Sequence, residues 1–139
     1  MFRKGYIKTV THKDLIKHFF INEWFPNADR MVNDSYFLSN CAEDAEFIID
    51  GKLFVGHAGF IEWMKGPRST LKPNIMHNVE SIEVNCVEGN LFDVHLIVSV
   101  KATTLTDEPI SFRAKDTWKV SVSEENKIII NGRLAKTIS

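Results

Sequence analysis

Between residues 111 and 122 the chain alternates apolar and polar positions, the period of a strand with one buried face. Phe112, Ala114, Trp118, Val120 and Val122 fall in one row, and Ser111, Arg113, Lys115, Thr117, Lys119 and Ser121 in the other. Asp116 stands in the apolar row, between Ala114 and Trp118. A carboxylate turned towards a core costs several kcal/mol, roughly, unless it is hydrogen-bonded, paired or protonated. Asp116 is therefore expected either to be satisfied by a neighbour or to line a cavity where it does chemistry.

Upstream the period is helical. Thr11 and Asp14 stand at the spacing of a capping box, and Leu15, Ile16, Phe19, Phe20 and Trp24 recur every three or four residues as one apolar stripe. Pro26 is expected to end this helix, and a shorter one to span about 29–38, with Met31, Val32, Ser35, Tyr36 and Leu38 near one side. Then the period shortens. Residues 45–49 read as a strand, Asp50-Gly51 as a tight turn and 53–55 as the returning partner. Gly56 breaks that strand, and Phe60, Ile61 and Met64 predict a short helix closed by Gly66-Pro67, with a polar loop to Asn74.

Four strand-like runs follow, at about 75–87, 91–104, 110–122 and 127–138, separated by Glu88-Gly89-Asn90, Asp107-Glu108-Pro109 and Glu124-Glu125-Asn126. Helices first and long antiparallel strands last is an α+β layout. Strands of about 13 residues exceed the usual length, so the sheet must curve around the helices and enclose a cone.

Composition narrows the function classes. A chain of 139 residues is expected to form one domain over 1–139, with 1–10 as an extension ahead of the first helix. Its net charge of −1 gives no electrostatic footprint for nucleic acid or an anionic membrane. Ten Phe against two Tyr suit a thick core or a greasy cavity, because Phe brings area without a polar handle. Cys41 and Cys86 show no zinc spacing, and the two thiols are expected to be reduced and in the core. No apolar run follows the basic start and none approaches a membrane span, so a cytoplasmic protein is expected. Scattered histidines without a carboxylate at ligand spacing argue against a metal, and no cofactor motif is present. The absence of a Gly-rich phosphate loop, a nucleophile elbow or a Cys/His pattern disfavours phosphoryl transfer and covalent catalysis.

Several local marks stand in a telling order: Ala42-Glu43-Asp44-Ala45, Gly56, Met76-His77-Asn78-Val79, Glu88-Gly89-Asn90 and Lys115-Asp116-Thr117-Trp118. With the order of elements they make the chain, over about 11–138, resemble the nuclear transport factor two-like, or SnoaL-like, superfamily. That superfamily includes ketosteroid isomerase, scytalone dehydratase and polyketide cyclases. The resemblance implies a cystatin-like α+β fold with a mixed sheet of about six strands, a site inside the cone, and Asp116 pointing into it. The tyrosine that isomerases carry on the first helix has no counterpart here, where Phe19, Phe20 and Trp24 stand. Asp50, the nearest candidate for the isomerase base, belongs to a solvent-facing turn. Steroid isomerisation is therefore not expected.

The candidate catalytic residues are Asp116 and His77. The histidine opens the third strand, where the mouth of the cone is expected, and can act there as acid or base. The bland readings are an Asp116 paired with a neighbour, for instance Arg68 from the loop, and a His77 that is a mere surface residue. Without a cationic partner Asp116 would favour its neutral form. Tyr36, Trp118, Phe20 and Trp24 are candidate ligand-binding residues. His95 shares the polar face of its strand with Asp93, Ser99, Lys101 and Thr103 and is expected to face outward; His57, His12 and His18 carry no functional signal.

The reading this supports is a small apolar molecule in a hydrophobic cone, acted on by acid–base chemistry as in an isomerase, cyclase or dehydratase. The alternatives are a non-catalytic binding module of the same fold and an interaction domain. A homodimer through the open sheet face is expected in any case.

Overall fold

The computed structural model of the protein describes residues 10–139; residues 1–9 of the expected N-terminal extension lie outside the described residues. Helix α1 (His12–His18) starts at the expected box, with Thr11 Oγ1 accepting from the Asp14 amide and Asp14 reaching back to the Thr11 amide. A π-helical stretch, Phe19–Trp24, and α2 (Phe25–Asp29) continue it without a break in helical backbone, so Pro26 does not end the helix. The reason is local. The wider π turn sends the Phe25 amide to the Phe20 carbonyl, and the Asn27 side chain donates to the Glu23 carbonyl at 2.7 Å, close to where Pro26 offers no N–H. The expected 29–38 helix is correspondingly shorter, α3 at Asp34–Leu38, after a turn in which Met31 has φ 49°.

Strands β1 (Cys41–Ile49) and β2 (Lys52–Val55) form the expected hairpin, and Asp50 and Gly51 both take positive φ in its turn. Helix α4 (Gly56–Thr70) runs through Gly66-Pro67 instead of stopping there. Ser69 and Thr70 hydroxyls donate back to the Gly66 carbonyl, which holds the last turn in place. The meander that follows is β3 (Met76–Glu88), β4 (Leu91–Thr103), β5 (Pro109–Val122) and β6 (Ile128–Thr137).

The six strands form one mixed sheet in the order β2-β1-β6-β5-β4-β3, antiparallel except where β1 runs parallel to β6. The helices cover one face. The buried side chains form one cluster, in which Phe20, Trp24, Phe37 and Phe60 from the helices meet Val94, Leu96, Trp118, Val120 and Ile130 from the sheet. Aromatic rings crowd this layer, Trp24 edge to face against Phe37 at 4.9 Å and Phe20 tilted against Trp118 at 5.1 Å. Cys41 is buried, and burial pushes its thiol up to about 12; Cys86, expected in the core, is exposed at the end of β3. No helix among the described residues is long and apolar enough to cross a membrane.

Candidate active site

A cavity of about 270 Å³ opens between the helices and the concave side of the sheet. Its walls are mainly apolar and aromatic, with Trp24, Phe25, Phe37, Phe60, Trp63 and Phe112 among them. Its polar side chains come from four places: His77 at the start of β3, Asp116 on β5, Arg133, Lys136 and Thr137 on β6, and Asp50 at the β1–β2 turn. His77 and Asp116 therefore border one cavity, two strands apart across the sheet.

Asp116 is only 2% exposed, as its place in the apolar row requires. It is not a lone acid. Arg133 Nη2 donates to Asp116 Oδ2 at 3.0 Å, and the guanidinium lies over the Trp118 ring at 4.6 Å and near the Trp63 ring at 5.4 Å. The reading of Asp116 as an acid without a cationic partner is thus corrected. The rival expectation was right about pairing but named the wrong arginine. Arg68 instead binds Asp34 at 2.6 Å and donates to the Met31 and Val32 carbonyls, clamping the end of α4 to the α2–α3 turn.

Strict alternation along β6 hides Arg133. Ile128 and Ile130 face the core, so counting in twos puts residues 132 and 134 inside and Arg133 outside. A bulge intervenes: Val120 pairs with Ile130 but Lys119 with Gly132, leaving Asn131 as an extra residue. The slip of one turns Arg133 and Ala135 inward and leaves Leu134 half exposed on the outer face.

His77 is held by a residue that sequence reasoning did not single out. Its Nδ1 lies 2.6 Å from Asp29 Oδ1, and its backbone N–H donates to the same oxygen at 2.9 Å. The Asp29 carbonyl in turn accepts from the Asn74 and Ile75 amides. The C-terminal end of α2 is thereby stapled to the start of β3, and the His77 ring stacks on Phe25 at 5.2 Å. With Nδ1–H given to the carboxylate, Nε2 is the ring nitrogen free to exchange a proton. No local pattern marks Asp29, because its partner lies 48 residues away.

The other candidates divide. Trp24 lines the cavity. Trp118 and Phe20 do not: Trp118 is fully buried beneath the Arg133 guanidinium, and Phe20 packs against it from the helix side. Tyr36 is also absent from the wall, its ring turned towards Trp24 and Phe37; burial pushes its phenol above the ordinary range. Asp50 is exposed, as expected of its turn, and stands at the rim of the cavity, where its carboxylate accepts from the Thr137 amide and hydroxyl at 2.7 and 2.9 Å. Those bonds hold its carboxyl below the ordinary range. His95 faces outward as expected, bonded to Thr117, and His57 is tied to the Cys41 carbonyl at the start of α4.

No family model matches the chain, and no curated protein sequence matches it significantly. Solved structures do. A candidate scytalone dehydratase from Novosphingobium aromaticivorans DSM 12444 superposes with a TM-score of 0.78 at 12% identity, over 91% of this chain and 84% of that one. LinA gives 0.76 at 15% identity, over 91% and 86%. An uncharacterised protein from Caulobacter vibrioides with a cystatin-like fold gives 0.72 at 10% identity, over 92% and 90%. The polypeptide thus shares the α+β, cystatin-like fold of these structures.

Proposed function

We propose that the protein is a lyase that abstracts a proton from a small, mostly apolar ring compound and expels a neighbouring group. The observation that carries this reading is the His77–Asp29 pair at an aromatic cavity. The carboxylate fixes the ring tautomer and stabilises the imidazolium that forms when Nε2 takes a proton, and the apolar wall excludes competing water. Electrons from the broken C–H bond form the double bond, and those of the bond to the departing group leave with it. Arg133, the guanidinium on the cavity wall, offers positive charge to whatever gains electron density. Where the departing group is hydroxide, it combines with the proton released from His77 as water. Asp116 then holds Arg133 in place and does not itself transfer protons. Elimination is also what the names of two structural neighbours describe, scytalone dehydratase and the hexachlorocyclohexane dehydrochlorinases related to LinA.

A β-hydroxy ketone carrying a ring, 4-hydroxy-4-phenylbutan-2-one, tests this directly, because loss of water yields a conjugated enone that absorbs in the near ultraviolet. Wild type is expected to form the enone above the buffer rate. His77→Gln is expected to abolish the gain, and Asp29→Asn to lower kcat by about 10²-fold, the usual scale of a lost acid–base partner. Equal rates in wild type and His77→Gln would reject the reading. We also infer that the chain pairs with a second copy through the outer sheet face, which carries His95, Ile97, Ser99, Lys115 and Thr117.

A further inference from the structure

We infer that Met31 is a specificity-determining residue, a shutter latched by Arg68 that closes the α2–α3 end of the cavity to anything longer than a compact ring compound. The inference deepens the proposed function and rests on its premise that this cavity binds the substrate. Helix α2 ends in a Schellman arrangement, with the Met31 amide donating to the Ala28 carbonyl at 3.0 Å and the Val32 amide to the Asn27 carbonyl at 3.2 Å. The residue that turns the chain there takes left-handed backbone, where glycine or asparagine is usual because a larger side chain crowds the following carbonyl. Here that residue is a methionine, with φ 49°. The other non-glycine residues with positive φ, among the described residues, are Asp50, Asn74, Asp107 and Asn126, whose types tolerate it. Glycine would end the helix without strain, so what the methionine adds is its side chain. Met31 stands in the cavity wall and packs against the core cluster.

Strained backbone persists only where the surroundings hold it. Arg68, in the last turn of α4, supplies the hold. Its Nη1 donates to the Met31 carbonyl at 3.0 Å and its Nη2 to the Val32 carbonyl at 2.7 Å, while Nε and Nη2 both donate to Asp34 Oδ1, at 3.2 and 2.6 Å. One guanidinium thus fixes the turn from Met31 to Asp34. Arg68 is not itself in the cavity wall, so its effect on a ligand passes through Met31. The wall beside the turn is apolar, with Ala28 from α2, Pro67 from α4 and Leu71 just after it. Met31 is half-buried while lining the cavity, so its side chain stands between the cavity and solvent. An unbranched thioether in an apolar wall offers no strong polar partner and excludes by size alone. The class admitted is a compact ring compound, and the class refused carries a long apolar chain.

Two ring ketones make the test, 4-phenylbutan-2-one and 4-(4-butylphenyl)butan-2-one, titrated into the protein by ligand-observed NMR. In a cavity open at this end the longer compound binds more tightly, because it removes more apolar surface from water. With the shutter in place, wild type is expected to bind the shorter one at least about tenfold more tightly, the scale of forcing extra methylenes into a filled wall. Met31→Gly removes the side chain and the strain together, and it is expected to reverse the order. Arg68→Lys keeps a cation beside Asp34 but cannot hold the two carbonyls as well, and it is expected to narrow the preference to about threefold or less. Met31→Ala loses the side chain but keeps the strain, so Met31→Gly is expected to melt at the higher temperature. Tighter binding of the longer compound by wild type, or the wild-type order in Met31→Gly, overturns the shutter and leaves the cavity as a binding site. An unchanged preference in Arg68→Lys overturns the latch, and a glycine variant that melts below the alanine variant overturns the strain. Binding of neither compound to any of these proteins overturns the premise as well.

Discussion

Asp116 was legible as an inward acid because alternation on β5 runs unbroken for twelve residues, and no other explanation of its position was needed. Its partner was not legible, because the Asn131 bulge on β6 reverses the facing of every residue after it. Asp29 was hidden for a different reason. Its role depends on a contact between helix end and strand start that neither segment encodes alone. A consequence at this scale concerns Asp116→Asn. The variant keeps the shape but leaves the Arg133 charge, only 16% exposed, without its counter-ion. We expect a loss of about 3 kcal/mol at pH 8, typical of removing one partner of a buried pair, read as a lower denaturant midpoint. An unchanged midpoint would mean that the pair contributes nothing to holding the floor of the cavity.

Among the elements, the strands and the first hairpin lie within a residue or a few of where period and turn residues predict them, whereas both prolines misled. Pro26 and Pro67 each stand inside continuous helical backbone, and side-chain bonds from Asn27 to the Glu23 carbonyl and from Ser69 and Thr70 to the Gly66 carbonyl tie the turns beside them. The β2–α4 junction gives a sharper constraint. Gly56 has φ 69°, and a Cβ there would lie 2.7 Å from the Glu43 carbonyl oxygen. Gly56→Ala should therefore cost about 3 kcal/mol in thermal or denaturant unfolding, since strain and a backbone clash act together. Asp50 ties the same hairpin to β6. Its carboxyl titrates below the ordinary value of 3.8 because the Thr137 amide and hydroxyl bond its charged form. The native state then takes up that proton at lower pH than the unfolded chain, so the stabilisation is complete above about pH 4 and drains away as pH falls through the native value. We predict that Asp50→Asn is less stable than wild type at pH 7 and that the gap closes at low pH. A gap of constant size from pH 7 to pH 2.5 would show that the charge is irrelevant.

At the scale of the whole molecule, the helices can cover only the concave side of the sheet. The convex side is mostly polar on β4 and β5, but Ile48, Leu53 and Leu134 form an apolar row across β1, β2 and β6, with Leu53 and Leu134 each 53% exposed. A self-complementary pair of such faces buries that row. Light scattering at micromolar concentration is expected to give the mass of a dimer for wild type and of a monomer for Leu134→Glu; a wild-type monomer would remove the idea. Sequence period alone accounts for the layers and for the inward acid, while the cavity chemistry arises only when α2, β3, β5 and β6 come together around it. The central claim is that His77, oriented by Asp29, removes a proton from a ligand in that cavity. Proton exchange in D₂O at the acidic carbons of 4-phenylbutan-2-one, a ring ketone with no group to expel, isolates that step and is followed by NMR. Wild type should exchange these protons at least about tenfold faster than buffer, Asp29→Asn should fall most of the way back, and His77→Gln should match buffer. Exchange at the same rate in wild type and His77→Gln would contradict the account.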